Sequence, residues 1–436
     1  MFSNRKDLDA VFTTRTASDP SSPVVVPFVT PAGQNLSDRY LPYIDGEQKA
    51  SATGFKCFDN SGNMVDLSDL YSKAPTKWNP LGLGTNGLIR TVYALDASNV
   101  YVGGSFTTVR NADGTSITCN NIAKWDGSSW SALGSGQKGV YKPTNPSVYS
   151  IYAYNTSNIY VGGDFTRAGD VSCNYIAKWN SDTGSWSAFA GQPNGTVRSI
   201  HAIDLTNIYV GGDFTQVNST AANTYIAKWN GTTWSSLGSS VGSAVRAIYV
   251  YNNANVYVGG IFQSVGGNGL RKWVARWDGA NWYSMASSTG GDYVYAINAV
   301  DPSKVYIGGV FSSFNGITDT LRIAKYNGSN WAGLAGGMNS TVFSLGRVKN
   351  STEVYAGGVF TTSGGVSSNY IAKWSDVNSS WSVLGDVNAN GVGNGTTTTG
   401  VNAIYALDAS HVYVGGDFTT VAGESCNYIA MYNDTV

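Results

Sequence analysis

The chain has 436 residues, of which only 13% are charged, 27 basic against 28 acidic, for a formal net charge of −1. Soluble proteins carry roughly 25% charged residues, and a chain this balanced offers no basic stripe to hold nucleic acid as its main partner. No apolar run approaches the about 18 residues of a membrane-spanning helix, and the 53 Gly and 27 Tyr, with Ser, Thr and Asn between apolar patches, describe an all-β protein with many turns.

In chain order, the opening stretch MFSNRKDLDAVFTTRT lacks the apolar core of a secretory signal. Residues 1–75 hold short patches, DLDAVF, NLSDRYLPY and VDLSDLY, with no sustained helical period. They read as an extended arm without a core of its own. A disordered tail is the plain alternative. Phe12, Tyr40, Tyr43, Phe55, Phe58 and Tyr71 give the arm enough apolar content to dock on a protein partner.

Residues 76–436 are organised by a repeat. Gly-Gly-x-Phe begins at Gly103, Gly162, Gly211, Gly259, Gly308, Gly357 and Gly415, in steps of 59, 49, 48, 49, 49 and 58. A fixed period near 50 residues built from short strands marks a repeat architecture forming one large domain. Each repeat shows four strand-like runs, a to d. In the second repeat these are VYSIYAYN (148–155), NIYVGGDFT (158–166), NYIAKWN (174–180) and SWSAF (185–189). Asp96, Asn155, Asp204, Asn252, Asp301 and Asp408 suit Asx-turns between a and b. Asp126-Gly127, Asn230-Gly231, Asp278-Gly279 and Asn327-Gly328 suit tight hairpins between c and d. One antiparallel four-stranded sheet per repeat is a propeller blade, and seven repeats predict a seven-bladed β-propeller.

Ring closure is legible in one departure. Strand d carries Trp130, Trp186, Trp234, Trp282, Trp331 and Trp381, but the seventh repeat stops after NYIAMYNDTV with no strand d. The segment KWNPLGLG (77–84) resembles SWSALGSG (129–136), and Trp78 precedes Gly103 by 25 residues, the distance from Trp186 to Gly211. Trp78 and Leu81 are therefore expected to complete the C-terminal blade and remove its exposed edge.

The glycine pair, the aromatic residue on strand c and the Trp on strand d resemble kelch and galactose-oxidase-like propellers. The resemblance covers residues 77–436 and implies the fold; a propeller hosts many functions. The copper oxidase branch needs two histidines, tyrosines and a cross-linked cysteine around the axis, a set this sequence does not offer. The arm's NLSDRYLPY and FDNSGNMVDLSDLY resemble N-terminal segments of phage and large-virus particle proteins, which implies display on a virion.

The a–b and c–d turns share one face and are short. The b–c and d–a links share the other face and vary. The links at 134–147 and 385–400 account for the two long steps, so binding is expected there, at Tyr141, Lys142, Asn145, Asn388 and Asn390. Catalytic and metal sites are not expected. His201 and His411 lie on different blades and are read as structural. Asp164, Asp213 and Asp417 follow Gly-Gly in three repeats only, which suits local contacts and not a cation-binding ring. The strand c cations Lys124, Lys178, Lys228, Arg276, Lys325 and Lys373 are read as stems laid on apolar surface. Cys119, Cys173 and Cys426 recur at one outer position, beyond the roughly 7 Å Cα limit for pairing, so free thiols are expected, compatible with a reducing compartment. No cofactor is expected.

Three functions follow: a non-enzymatic structural or interaction protein held by its arm in a larger assembly, a virus particle surface or attachment component among them; a carbohydrate-binding lectin with a glycan or receptor on the link face; and, least supported, an enzyme, because no triad, metal cluster or carboxylate pair can be placed.

Overall fold

The computed structural model describes residues 77–436 apart from 220–223, 240, 268–272, 287–292, 387–388, 394–399, 423 and 436, together with four short strands nearer the N-terminus. The chain divides into two compact units at Thr76/Lys77. In the first, Tyr43–Ile44 pairs with Glu47–Gln48 and Lys56–Phe58 with Met64–Asp66, both antiparallel. Phe12, Tyr40, Phe55 and Tyr71 lie outside the described residues.

The second unit is a β-propeller of seven four-stranded antiparallel sheets. The second sheet runs Ser147–Asn155, Asn158–Asp164, Ile176–Asn180 and Ser185–Ala188, in the order a, b, c, d. The a strands of successive sheets pack side by side in a closed cycle, the seventh against the first.

The seventh sheet is completed as the register requires. Trp78–Pro80 pairs with Ile429–Tyr432, with Trp78 opposite Tyr432. This is the cross-strand aromatic pair of every other sheet: Trp78 and Tyr432 are 4.8 Å apart, Trp125 and Trp130 5.1 Å, Trp374 and Trp381 5.3 Å. Each strand d indole then donates to a backbone carbonyl of the preceding sheet. Trp130 Nε1 reaches Leu81 O at 2.8 Å, Trp282 reaches Leu237 O at 2.7 Å and Trp381 reaches Leu334 O at 2.8 Å. Trp78 closes the cycle on Leu384 O at 3.4 Å. A buried indole N–H needs such an acceptor, and here that need ties each sheet to its neighbour. Asp434 adds a tie at the same joint, accepting from Lys373 and from the Tyr355 hydroxyl of the sixth sheet.

The glycine pair has a packing cause. A Cβ on Gly162 would meet Val197 Cγ1 of the next sheet at 2.5 Å, and one on Gly415 would meet Ile89 Cγ2 of the first sheet at 2.3 Å. The first glycine thus admits the neighbouring blade. The second, as at Gly163, clears the carbonyl of Ser147 in its own strand a. The Asx-turns form as expected, with Asp96 and Asp204 carboxylates accepting from Ser98 N and Thr206 N. Cys119, Cys173 and Cys426 are free and buried; burial pushes their thiols up to about 12, 11 and 12, so they stay protonated and inert.

The link face is more regular than its sequence variability implied. The d–a link of one sheet pairs with the b–c link of the next: Val140–Tyr141 with Arg167–Ala168, Gly84–Thr85 with Thr108–Arg110, Val392–Gly393 with Thr420–Val421. Single bridges at Pro193/Val217, Val241/Val265 and Met338/Ser363 repeat the device. Asn86, Asn194 and Asn339 cap it alike, each side-chain oxygen accepting from two consecutive backbone N–H groups of the facing link.

Candidate functional site: the bulge ring around the axis

The functional geometry arises from an irregularity common to all seven a strands. In each, the register against strand b slips by one residue, between Ile89 and Thr91, Val148 and Ser150, Val197 and Ser199, Val245 and Ala247, Val294 and Ala296, Val342 and Ser344, and Val401 and Ala403. A β-bulge re-aims the extra side chain. The seven extra residues are Arg90, Tyr149, Arg198, Arg246, Tyr295, Phe343 and Asn402, all half-buried at the link-face end of strand a.

They meet one another around the axis. Arg90 and Arg198 lie over opposite neighbours' sides of Tyr149, 5.1 and 4.7 Å from its ring centre, within cation–π range. Arg198 is tightly paired with Asp213, Nη2 to Oδ2 2.5 Å and Nε to Oδ2 2.7 Å. Arg246 reaches the same carboxylate only at 3.6 Å, and its buried Nε has no hydrogen-bond partner. Burial first and the Arg198 charge second lower the proton affinity of Arg246. Tyr295 packs on Phe343 at 5.8 Å, and Asn402 donates to Ile89 O across the joint between the seventh and first sheets.

Three residues further along strand a, a second ring lines the axis. Tyr405, Tyr93, Tyr152, His201 and Tyr249 follow one another with ring centres 4.6, 5.1, 4.9 and 5.1 Å apart. In the fifth sheet the position is Asn298; in the sixth it is Gly346, and the next residue, Arg347, reaches back: its Nε donates to Asn298 Oδ1, and its Nη groups donate to the carbonyls of Ala299, Val348 and Ser351. Burial raises the Tyr93 and Tyr405 phenols and pushes Tyr152 up to about 12. Burial lowers His201 to about 4, and its Nδ1 has no partner. The tyrosines and His201 of the collar are thus neutral at physiological pH and Arg347 is its one cation, beneath a cationic and aromatic mouth. Among the described residues no cluster of His, Cys, Asp and Glu could hold a metal.

The link residues expected to bind are dispersed. Tyr141 is exposed in the link ladder opposite Arg167. Lys142 is engaged, its Nζ 2.7 Å from Asp164 Oδ1. Asn145 is exposed with φ 46°. Asn390 pairs with Gly385 in the link between the sixth and seventh sheets, and Asn388 lies outside the described residues. Asp164 and Asp213 make local contacts as expected, Asp164 with Lys142 of the d–a link and Asp213 with Arg198 of strand a. His411 binds Asp408 within its turn. The strand c cations are tethered: Lys325 to Asp376, Lys373 to Asp434, Lys228 over the Tyr209 ring. The sequence reading missed the bulge ring, although each repeat signals it. The apolar pairs Val148/Ile151, Val197/Ile200 and Val245/Ile248 are three residues apart, where an unbroken strand would place them two apart.

Comparison with known proteins agrees with the fold. A family model for the Rax2 C-terminal beta propeller domain matches residues 137–240. The chain is 24% identical over 148 residues to the polarized growth protein rax2 of Schizosaccharomyces pombe, covering 32% of this chain and 13% of that much longer protein. Among solved structures, the extracellular domain of a hybrid two component system of B. thetaiotaomicron superposes with TM-score 0.52 at 13% identity, over 82% of this chain and 40% of that one. The WD40 propeller domain of Doa1 (14% identity) and YCF48 bound to a D1 peptide (13%) each give 0.50, over 82% of this chain and 97% of theirs. These likenesses support a β-propeller and do not single out kelch or galactose-oxidase-like repeats.

Proposed function

We propose that this propeller is a non-enzymatic interaction module whose binding site is the bulge ring at the link-face mouth of the axis, with residues 1–75 as a tether to a protein partner. The observation that carries it is that seven structurally equivalent positions on a uniform scaffold hold Arg, Tyr, Arg, Arg, Tyr, Phe and Asn. A rigid frame that varies its side chains at one concave mouth is how propellers and other scaffolds host specific sites. The similarity to a polarized growth protein's propeller domain, and a propeller of like fold bound to a peptide, favour an interaction role. None of these likenesses favours display on a virion. A lectin role loses its recurrent amides, since Asn86, Asn194 and Asn339 are occupied by backbone N–H groups.

Photo-cross-linking in the source cell tests this. A cross-linking phenylalanine in place of Tyr295 at the mouth, compared with one in place of the exposed Tyr283 on an outer strand, should give a discrete protein adduct from the mouth alone. Adducts from Tyr283 alone, or none from either, would contradict the proposal.

A further inference from the structure

The mouth is divided. The residue after Gly-Gly is Ser105, Asp164 and Asp213 in the first three sheets and Asp417 in the seventh, but Ile261, Val310 and Val359 in the fourth to sixth. The bulge residues change with it, from Arg90, Tyr149 and Arg198 to Tyr295 and Phe343. A polar arc therefore faces an apolar arc, and Arg246 stands where they meet.

At that junction one carboxylate serves two guanidiniums. Asp213 holds Arg198 at hydrogen-bond distance and Arg246 only at 3.6 Å. Asp164 is held by Lys142. A half-buried guanidinium without a close acid is costly, and an arriving carboxylate would offset both its desolvation and its repulsion with Arg198. At this junction two guanidiniums share one carboxylate, a deficit of one negative charge. That does not fit a nucleic acid or another polyanion, which several cations would have to neutralise. The apolar arc does not fit a bare anion. Tyr295 and Phe343 offer a paired aromatic surface suited to an apolar side chain.

We infer that the mouth takes a polypeptide segment carrying a carboxylate beside an aromatic or branched aliphatic side chain, the carboxylate on Arg246 and the apolar group on Tyr295 and Phe343. This rests on the proposed interaction role and names its ligand class. A peptide is the occupant that supplies both groups on one short, flexible backbone.

The test uses the full chain and a set of hexapeptides, each with one Asp and one Phe at every spacing, measured by calorimetry. Matched sets replace Asp by Asn or Phe by Ala, and inorganic phosphate serves as a competitor. The best Asp–Phe peptide should bind about tenfold or more tighter than its Asn counterpart. Arg246→Gln should abolish that preference, and Phe343→Ala should weaken the Asp and Asn peptides alike, both variants remaining folded with a cooperative thermal transition. Should R246Q fail to fold, the Phe343→Ala arm and the Asn and Ala peptides still decide. Three results would overturn the inference: no preference for Asp over Asn, a preference unchanged in R246Q, or full displacement by millimolar phosphate. A cross-link at position 295 with no Asp preference would defeat the ligand class and leave the interaction role standing. No cross-link at all would defeat the role itself.

Discussion

The outer strands and the axial bulges are both sevenfold sets, and they follow opposite rules. At the outer edge every sheet repeats one solution: an aromatic pair across strands c and d, and an indole donating to the sheet before it. At the bulges the residue changes at every joint but one, the third and fourth sheets both carrying Arg. The reason is mutual constraint. Trp186 needs the Leu133 carbonyl, and Gly162 needs Val197, so a change in one sheet strands a group in the next. A bulged residue is outside the ladder, and apart from Asn402, which donates to Ile89 O, none of the seven is tied to a neighbouring sheet by a shared backbone bond of the kind each Trp makes, which leaves it open to specialise.

The largest expected effect breaks the outer cycle. Deleting residues 1–84 removes Trp78–Pro80 and bares the edge of Ile429–Tyr432. The product should aggregate or open, whereas deletion of 1–70 should leave the propeller folded. Size-exclusion chromatography and thermal melting check this, and equal melting of both truncations would refute closure by residues 78–80.

Single substitutions sharpen the contrast. Trp186→Ala should cost about 3–5 kcal/mol in urea denaturation, and Trp78→Ala a similar amount, because both rings fill equivalent sites. Trp→Phe at either place should cost about 1 kcal/mol for the lost indole donor. A Trp78 variant costing nothing would show that the seventh sheet does not share the others' packing.

An acid-limb measurement probes the collar. Burial between Tyr152 and Tyr249 holds His201 neutral, with its pKa down at about 4. Between that value and the ordinary histidine range near 6.5, the unfolded chain binds a proton that the native chain does not. Stability conferred by the neutral imidazole is present above about pH 6.5 and is lost as pH falls toward 4. His201→Asn should flatten that limb by roughly 1–3 kcal/mol. An unchanged limb would mean that His201 titrates freely. The smallest effect belongs to the mouth: Arg246→Gln should leave unfolding free energy unchanged or raise it by less than about 1 kcal/mol, since it removes a half-buried guanidinium whose one ion pair is long.

Legibility in the sequence divides along the same line. The glycine pairs, the Trp period and the missing seventh Trp give the propeller and its closure, because each is an inter-sheet constraint written seven times. The mouth was obscured because Arg90, Arg198 and Arg246 look like solvent-facing residues of alternating strands. Only the three-residue apolar spacing reveals the bulge. Tyr141, Lys142 and Asn145 drew attention by loop length, yet the link ladder and the Lys142–Asp164 pair give that loop a packing role the sequence could not show. His201 reads as a structural histidine, and its place in a tyrosine collar becomes visible only once the a strands are set around one axis.

The seventh sheet, joined through a strand from the other end of the chain, should behave as the equal of the sheets made from one continuous segment. Native-state hydrogen exchange measures it directly, comparing amides of Ile429–Tyr432 with those of Ile176–Asn180. Protection of the two strands should agree within about tenfold. Exchange at Ile429–Tyr432 faster by several orders of magnitude, with Ile176–Asn180 still protected, would contradict it.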